Sequence, residues 1–278
     1  KRLAEMPKPI VLDSLDAVEL HVYIEWAHVR DDAKYARAIN NMRAQVGLSD
    51  RFRESIHRSG LYWEHIEAIL KQYDLPLELA YLPHVESLYN YESYSKAGAA
   101  GIWQLIAHTG RLFLTIDVAV DERVDPIAAT AAAAKLLKKN FNELGSWPLA
   151  ITAYNHGLAG MKAAGQQFGS ADFGIIYKQY QSRSFGFASR NFYAEFIAAM
   201  HVSKNYMTYF GPIETEAPLK FQSVKLFQPL LVKEAAEIFD VSVDTLIHYN
   251  RAFRIASIKN MVRLPAGYLL MLPYREGY

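Results

Sequence analysis

Cysteine is absent from the 278 residues, which excludes disulfides, thiolate zinc sites, iron–sulfur clusters and cysteine nucleophiles. That absence leaves the compartment open, because a secreted protein can do without disulfides. A charge excess is missing too. The 30 Lys+Arg stand against 29 Asp+Glu, a formal +1, so the strong positive field of a dedicated nucleic-acid binder is excluded. No apolar run approaches the ~20 residues of a membrane span. The chain starts at Lys1 with neither an initiator Met nor an apolar leader, as expected of a processed or truncated product. A membrane anchor is therefore expected only through a segment ahead of Lys1. Against these absences stand 51% hydrophobic and 13% aromatic residues with only 21% charged, which excludes intrinsic disorder. At ~150 residues per domain, the length suggests about two domains.

Helical spacing dominates the first three-quarters. Val18, Val22, Trp26 and Val29 form one stripe over 16–29, with Ser14 and Asp16 placed as caps. Tyr35, Ile39, Met42 and Val46 mark a helix over 32–46. A third begins near Asp50, and a fourth runs through Tyr62, Ile66, Leu70 and Tyr73. Pro76 suits the first turn of a helix reaching Glu86, and Pro83 inside it predicts a kink or a break. Residues 95–101 are a small-residue loop, and Ile102–Phe113 reads as helical. Asp125-Pro126 opens a long helix to Leu144, in which the Ala128–Ala134 block permits close helix approach. Trp147–Asn155 is helical and ended by Gly157 and Gly160. Residues 165–187 read as a long loop with one helical turn. A last long helix fits 189–209, with Phe192, Phe196, Met200 and Tyr206 as buried candidates.

The rhythm changes after Gly211-Pro212. Strands at 221–227 and 268–272 bracket helices at 231–239 and 243–250, a small βααβ module. It carries 8 basic and 5 acidic residues over 219–278, an asymmetry too mild to name an electrostatic partner. A unit this small is expected to dock on the larger domain.

The sharpest chemistry lies in Leu82-Pro-His-Val-Glu86-Ser87. Glu86 ends a helix beside Val85 and Leu88, where desolvation would raise its pKa and keep it protonated as a general acid. Alone, such a Glu is more often a solvated cap. No His-Glu-x-x-His spacing, phosphate-cradling loop or strand–elbow–helix context for a serine nucleophile accompanies it. Neither metal nor cofactor is expected.

Three ordered motifs change the odds: Glu86-Ser87, Ser95-Lys-Ala-Gly-Ala-Ala-Gly-Ile-Trp-Gln104, and Ala153-Tyr154-Asn155-His-Gly157. Together they resemble family 1 lytic murein transglycosylases, most of all the membrane-bound D branch. Thr109-Gly-Arg-Leu-Phe113, Asp121-Glu-Arg-Val-Asp-Pro126 and Ser189-Arg-Asn191 match between the motifs. The resemblance implies a mainly α fold, a lysozyme-like domain of the goose-type lysozyme kind over 61–211, with residues 1–60 as a helical extension packed on it. It implies cleavage of the β-1,4 bond between N-acetylmuramic acid and N-acetylglucosamine in peptidoglycan, with Glu86 as sole acid/base. Peptidoglycan glycan strands would be the partner, and the protein would be a monomer, periplasmic or secreted, with an outer-membrane lipoprotein as one form.

The resemblance also assigns supporting roles, each beside a plainer one. Ser87 orients Glu86 or caps the helix; Ser95 contacts sugar or closes a turn. Gln104 hydrogen-bonds the glycan. Tyr154 sits near Glu86 or fills core, and Asn155 fixes loop geometry. Trp103 and Tyr91 stack on pyranose faces or pack inside. Ala188-Ser-Arg-Asn-Phe192 departs from the family's Glu-Thr-Arg-Asn-Tyr, losing a carboxylate and a hydroxyl, and His156 replaces a small residue. These departures suggest tolerance of modified glycan, such as N-deacetylated strands, or more hydrolysis over anhydro-sugar formation. Residues 219–278 resemble a divergent lysin-motif (LysM) module, either glycan-binding or merely supporting. A lysozyme-type hydrolase and a non-catalytic peptidoglycan-binding protein are the alternatives.

Overall fold

The computed structural model describes residues 1–41 and 48–275. The chain divides into two compact units, 1–48 and 49–278. In the first, α1 (Arg2–Glu5), α2 (Ala17–Glu25) and α3 (Lys34–Asn41) follow one another. Asp16 caps α2 in a reciprocal box with Glu19, at 2.8 and 3.1 Å. The helix stops at Glu25, short of the expected 29. Its anticipated stripe is not buried: Val18 is 73% exposed. A unit this small has little interior to offer it. Met42 and Val46, expected on α3, lie outside the described residues.

The second unit begins with α4 (Ser49–Ser59), so the division falls at 48/49 and not at the expected 60/61. The reason is local: Ser55 Oγ meets His84 Nδ1 at 2.6 Å, and Arg58 Nη2 donates to the Leu88 carbonyl at 2.6 Å. Next come α5 (Trp63–Gln72), a 3₁₀ turn (Leu77–Tyr81), α6 (Leu82–Glu86) and α7 (Ala107–Gly110). The long α8 (Pro126–Leu144) precedes α9 (Trp147–His156), α10 (Leu158–Phe168) and α11 (Phe173–Gln179). Last among these are α12 (Phe187–Lys204) and α13 (Tyr206–Phe210).

Helix α8 forms where the sequence predicts it. Asp125 accepts from the Ile127 and Ala128 amides at 2.8 and 3.1 Å, Pro126 fills the first turn, and Gly145 ends the helix at φ 65°. Ala129, Ala132, Ala133 and Ala134 are buried, so α5 and α9 approach closely. Ile66, Leu70, Leu137, Phe192 and Phe196 complete that core.

Four expectations fail locally. Ile102–Leu105 is a tight turn, not helix, because Gly101 and Gln104 take positive φ and Ala100 bridges to Leu105. Gly160 lies inside α10 rather than ending α9; a Cβ there would stand 2.4 Å from His156 Nε2, so it serves close approach. Residues 165–187 hold the end of α10 and all of α11, and the last long helix breaks at Asn205.

The C-terminal part pairs β1 (Phe221–Lys225) antiparallel with β2 (Leu269–Pro273), Phe221 opposite Pro273. Between them lie α14 (Val232–Ile238), α15 (Val243–Tyr249) and the single turn α16 (Ile255–Ile258). Val232, Leu246, Leu264 and Leu270 form its own core. It docks through backbone: the Asp121 amide donates to Ala252 at 2.8 Å and the Arg254 amide to Ala119 at 2.9 Å.

Candidate active site

Pro76 opens the 3₁₀ turn and Pro83 starts α6 afresh, so the chain turns just before Glu86 reaches the helix end. Leu88 and Tyr89 then take φ of 54° and 57°. Such backbone costs about 1–3 kcal/mol per residue and persists where surroundings over-determine it. Here the Tyr89 hydroxyl donates to Ala80 at 2.6 Å and its amide to Pro83 at 3.1 Å, while Arg58 holds the Leu88 carbonyl. Glu86 is thereby presented from a fixed support.

Glu86 is half-buried. Burial pushes its pKa up to about 8, and the Glu195 carboxylate on α12 adds to the rise. The carboxyl thus keeps its proton at neutral pH, as a general acid must. Tyr154 lies in the same field: burial, then the Glu86 charge, raises its hydroxyl well above the ordinary range. That hydroxyl donates to the Trp103 carbonyl at 2.7 Å.

The 101–105 turn is locked to α6 and α8. Ser87 Oγ donates to Ile102 at 3.0 Å, so Ser87 ties the turn to the end of α6. Gln104 Nε2 donates to Ser93 and Gly101 carbonyls at 3.2 and 2.9 Å. Both its N–H groups are committed, and only the amide oxygen faces a ligand's needs. Trp103 is 0% exposed, with Nε1 donating to Thr130 Oγ1 at 2.8 Å. The expected sugar-stacking role of Trp103 is therefore corrected: it is core. Tyr91 is half-buried, with the Arg251 guanidinium 4.5 Å from the centre of its ring. Ser95 is exposed and its Oγ accepts from Ala99 at 3.0 Å, closing the 95–99 turn. Asn155 Oδ1 accepts from Ser189 Oγ at 2.8 Å, joining α9 to α12.

Two groups went unassigned in the sequence. Glu195 sits seven residues beyond Ala188, two turns on and on the same helix face, a carboxylate near the place where the family pattern has lost one. Arg123 was visible only as part of matching text. Its Nε and Nη2 donate to Asp121 at 2.9 and 2.8 Å, and Nη1 to Gly98 and Leu105 carbonyls at 2.7 and 3.1 Å. One side chain thus pins both ends of the 98–105 loop. Gly101 completes the fit: at φ +76°, a Cβ there would stand 1.9 Å from the Arg123 carbonyl oxygen. Gly101→Ala is expected to cost on the order of 3 kcal/mol, read as a lower melting temperature with reduced activity. An unchanged melting temperature would contradict the assignment of that contact.

Residues 64–176 match the family model described as Transglycosylase SLT domain. The chain is 28% identical over 238 residues to the "Membrane-bound lytic murein transglycosylase D" of Escherichia coli (strain K12), covering 81% of this chain and 51% of that protein. It is 36% identical over 104 residues to the "Putative tributyltin chloride resistance protein" of Alteromonas sp. (strain M-1), covering 36% of this chain and 49% of that protein. The chain spans about half the length of these curated relatives.

Proposed function

We propose that this chain, whose residues 64–176 form a transglycosylase SLT domain, cleaves the β-1,4 bond between N-acetylmuramic acid and N-acetylglucosamine in peptidoglycan. The observation that carries the reading is Glu86, a carboxyl held protonated at neutral pH beside Tyr154. Glu86 donates its proton to the bridging oxygen as the C1–O bond breaks, releasing the sugar beyond it. The substrate's own acetamido carbonyl stabilises the cationic C1. The carboxylate then takes the proton of the muramic C6 hydroxyl as that oxygen bonds to C1, which gives a 1,6-anhydro end and returns Glu86 to its acid form. One group serves both halves because its pKa lies near the working pH, one of the substrate-assisted exceptions to two-carboxylate cleavage. We place the protein in the cell envelope, periplasmic or secreted, in keeping with the membrane-bound relative. No helix among the described residues is long and apolar enough to cross a membrane.

A second reading, hydrolysis to a reducing end, is favoured by Glu195. A carboxylate on α12 close enough to raise the Glu86 pKa can assist a cationic C1 where an N-deacetylated sugar lacks the acetamido group. Mass spectrometry of fragments from acetylated and deacetylated peptidoglycan tests both. Anhydro ends support transglycosylation, reducing ends support hydrolysis, and no fragments at all would leave a binding protein.

Glu195 also makes a pH prediction. The Glu86 acid is active below its pKa, and the Glu195 charge raises that pKa. Glu195→Gln should therefore move the alkaline fall of the rate to lower pH. A shift to higher pH, or none, would contradict the coupling.

A further inference from the structure

A cavity of about 390 Å³ lies behind the support of Glu86, bordered by α4, α5, α6, α13 and segment 215–218. That volume is inside the roughly 300–1,000 Å³ range of small-molecule sites. Three rings wall it: Trp63 from α5, Tyr81 from the 3₁₀ turn and Tyr206 from α13. Trp63 and Tyr81 meet edge to face at 62°, ring centres 4.9 Å apart, so they form a corner and not a flat stack. Glu64 and Glu216 bring two carboxylates to the wall, and His84 an imidazole. Burial, then Arg58, lowers the His84 pKa to about 3, so at neutral pH this ring is uncharged and repels no cation. The wall is built in advance. A Cβ at Gly60 would stand 2.2 Å from the Glu216 carbonyl oxygen, so the bare glycine lets segment 215–218 lie close. The Glu216 amide fixes it there, donating to His57 at 2.9 Å. Among the described residues Glu64 makes no ion pair, and Glu216 has only His57 Nε2 at 3.8 Å.

The surroundings already draw positive charge. Lys204 Nζ stands 5.6 Å from the centre of the Tyr81 ring and 3.7 Å from Glu78, yet it is not part of the cavity wall. Ring faces are negative, so rings and carboxylates together favour a cation. A bare metal ion fits poorly, since no group of His, Asp and Glu able to hold one occurs among the described residues. An alkylated ammonium needs no such ligands and suits aromatic faces. We propose that this cavity binds a small alkylated ammonium ion, held by Trp63, Tyr81 and Tyr206 and balanced by Glu64 and Glu216. Glu86 is not in its wall, and His84, two residues earlier on α6, points to another face. The site is thus separate from the proposed cleft and does not depend on the peptidoglycan reading.

Calorimetric titration of the full chain tests it with two probes: choline, and its neutral carbon analogue in which a tert-butyl group replaces trimethylammonium. Choline should bind saturably and roughly tenfold more tightly than the analogue of the same shape. Glu64→Gln combined with Glu216→Gln, and separately Tyr206→Leu, should each weaken choline roughly fivefold or more. No saturable choline binding in the millimolar range, or equal binding of the two probes, overturns the proposal. So does an unchanged choline affinity in both variants with their melting temperatures retained. The comparison of charged and neutral probes needs no variant, so it decides even where a variant fails to fold. Phosphatidylcholine vesicles then separate the sources of the ion: displacement of bound choline identifies a lipid headgroup, and no displacement a soluble ammonium.

Discussion

Glu86→Gln is expected to remove the proposed peptidoglycan cleavage, with a rate loss of roughly 10²–10⁴-fold, the usual worth of a positioned acid/base. The upper end of that range is expected because, in the proposed mechanism, one carboxyl serves both proton transfers, and Gln can perform neither. Release of soluble fragments from purified peptidoglycan measures it. Activity within tenfold of the parent would move the acid elsewhere. Loss of folding does not explain the expected result, for a reason that can be checked. The folded carboxyl has its pKa raised from an ordinary 4.5 to about 8, so the unfolded chain releases this proton first as pH rises. Stability is therefore full below about 4.5 and declines as pH climbs towards 8. Gln does not titrate. Glu86→Gln should melt at the parent's temperature near pH 4 and above it at pH 8, while being inactive at both.

Asp121→Ala is expected to cost about 3–5 kcal/mol, the range for removing one partner of a buried ion pair. Asp121 is 1% exposed and receives Arg123 at 2.8 Å and Arg254 at 3.0 Å. Burial alone would raise its carboxyl, but the Arg123 hydrogen bonds and charge, with Arg254, outweigh it and hold it below the usual carboxylate range. Its contribution is thus present above the unfolded pKa and lost as pH falls through the folded one. Removing it strands the Arg123 guanidinium, whose other donors hold the Gly98 and Leu105 carbonyls. The 98–105 loop, and the Gln104 side chain it carries, should loosen with the fold. Urea unfolding gives the stability and fragment release the activity. Arg254→Met, removing a partner 43% exposed, should cost no more than about 1 kcal/mol. A loss below about 1 kcal/mol in Asp121→Ala would mean the cluster is not a clamp.

What could be read in advance followed how local the physics is. Asp125-Pro126 and Gly145 state the ends of α8 outright, since a capping carboxylate, a Pro in the first turn and a Gly in left-handed backbone act within a few residues. Pro83 likewise announced the break that sets Glu86 at a helix end. The stretch Ile102–Phe113 misled because its apolar spacing fits a helix, while Gly101 and the positive φ of Gln104 close a turn through contacts with Ser93 and Arg123 that lie far along the chain. Trp103 misled for a related reason. An aromatic beside a polar motif can face sugar or core, and only the Thr130 hydroxyl, 27 residues on, decides for core. The desolvation of Glu86 was legible in its apolar neighbours, but the contribution of Glu195 was not. Glu195 lies beyond the altered 188–192 text, and its nearness to Glu86 arises only when α12 packs beside α6. The division at 48/49 was hidden because α4 joins the larger unit through Ser55–His84 and Arg58–Leu88, contacts with no local mark.

Everything mechanistic here depends on a single proton at neutral pH. Selective ¹³C labelling of glutamate δ-carbons, with Glu86→Gln used to assign the signal, would allow that one carboxyl to be titrated in the intact chain. A midpoint near 8, falling when Glu195 is changed to Gln, is the result this account predicts. A midpoint close to the ordinary 4.5 would contradict it, since Glu86 would then be an ionised surface group with no proton to give.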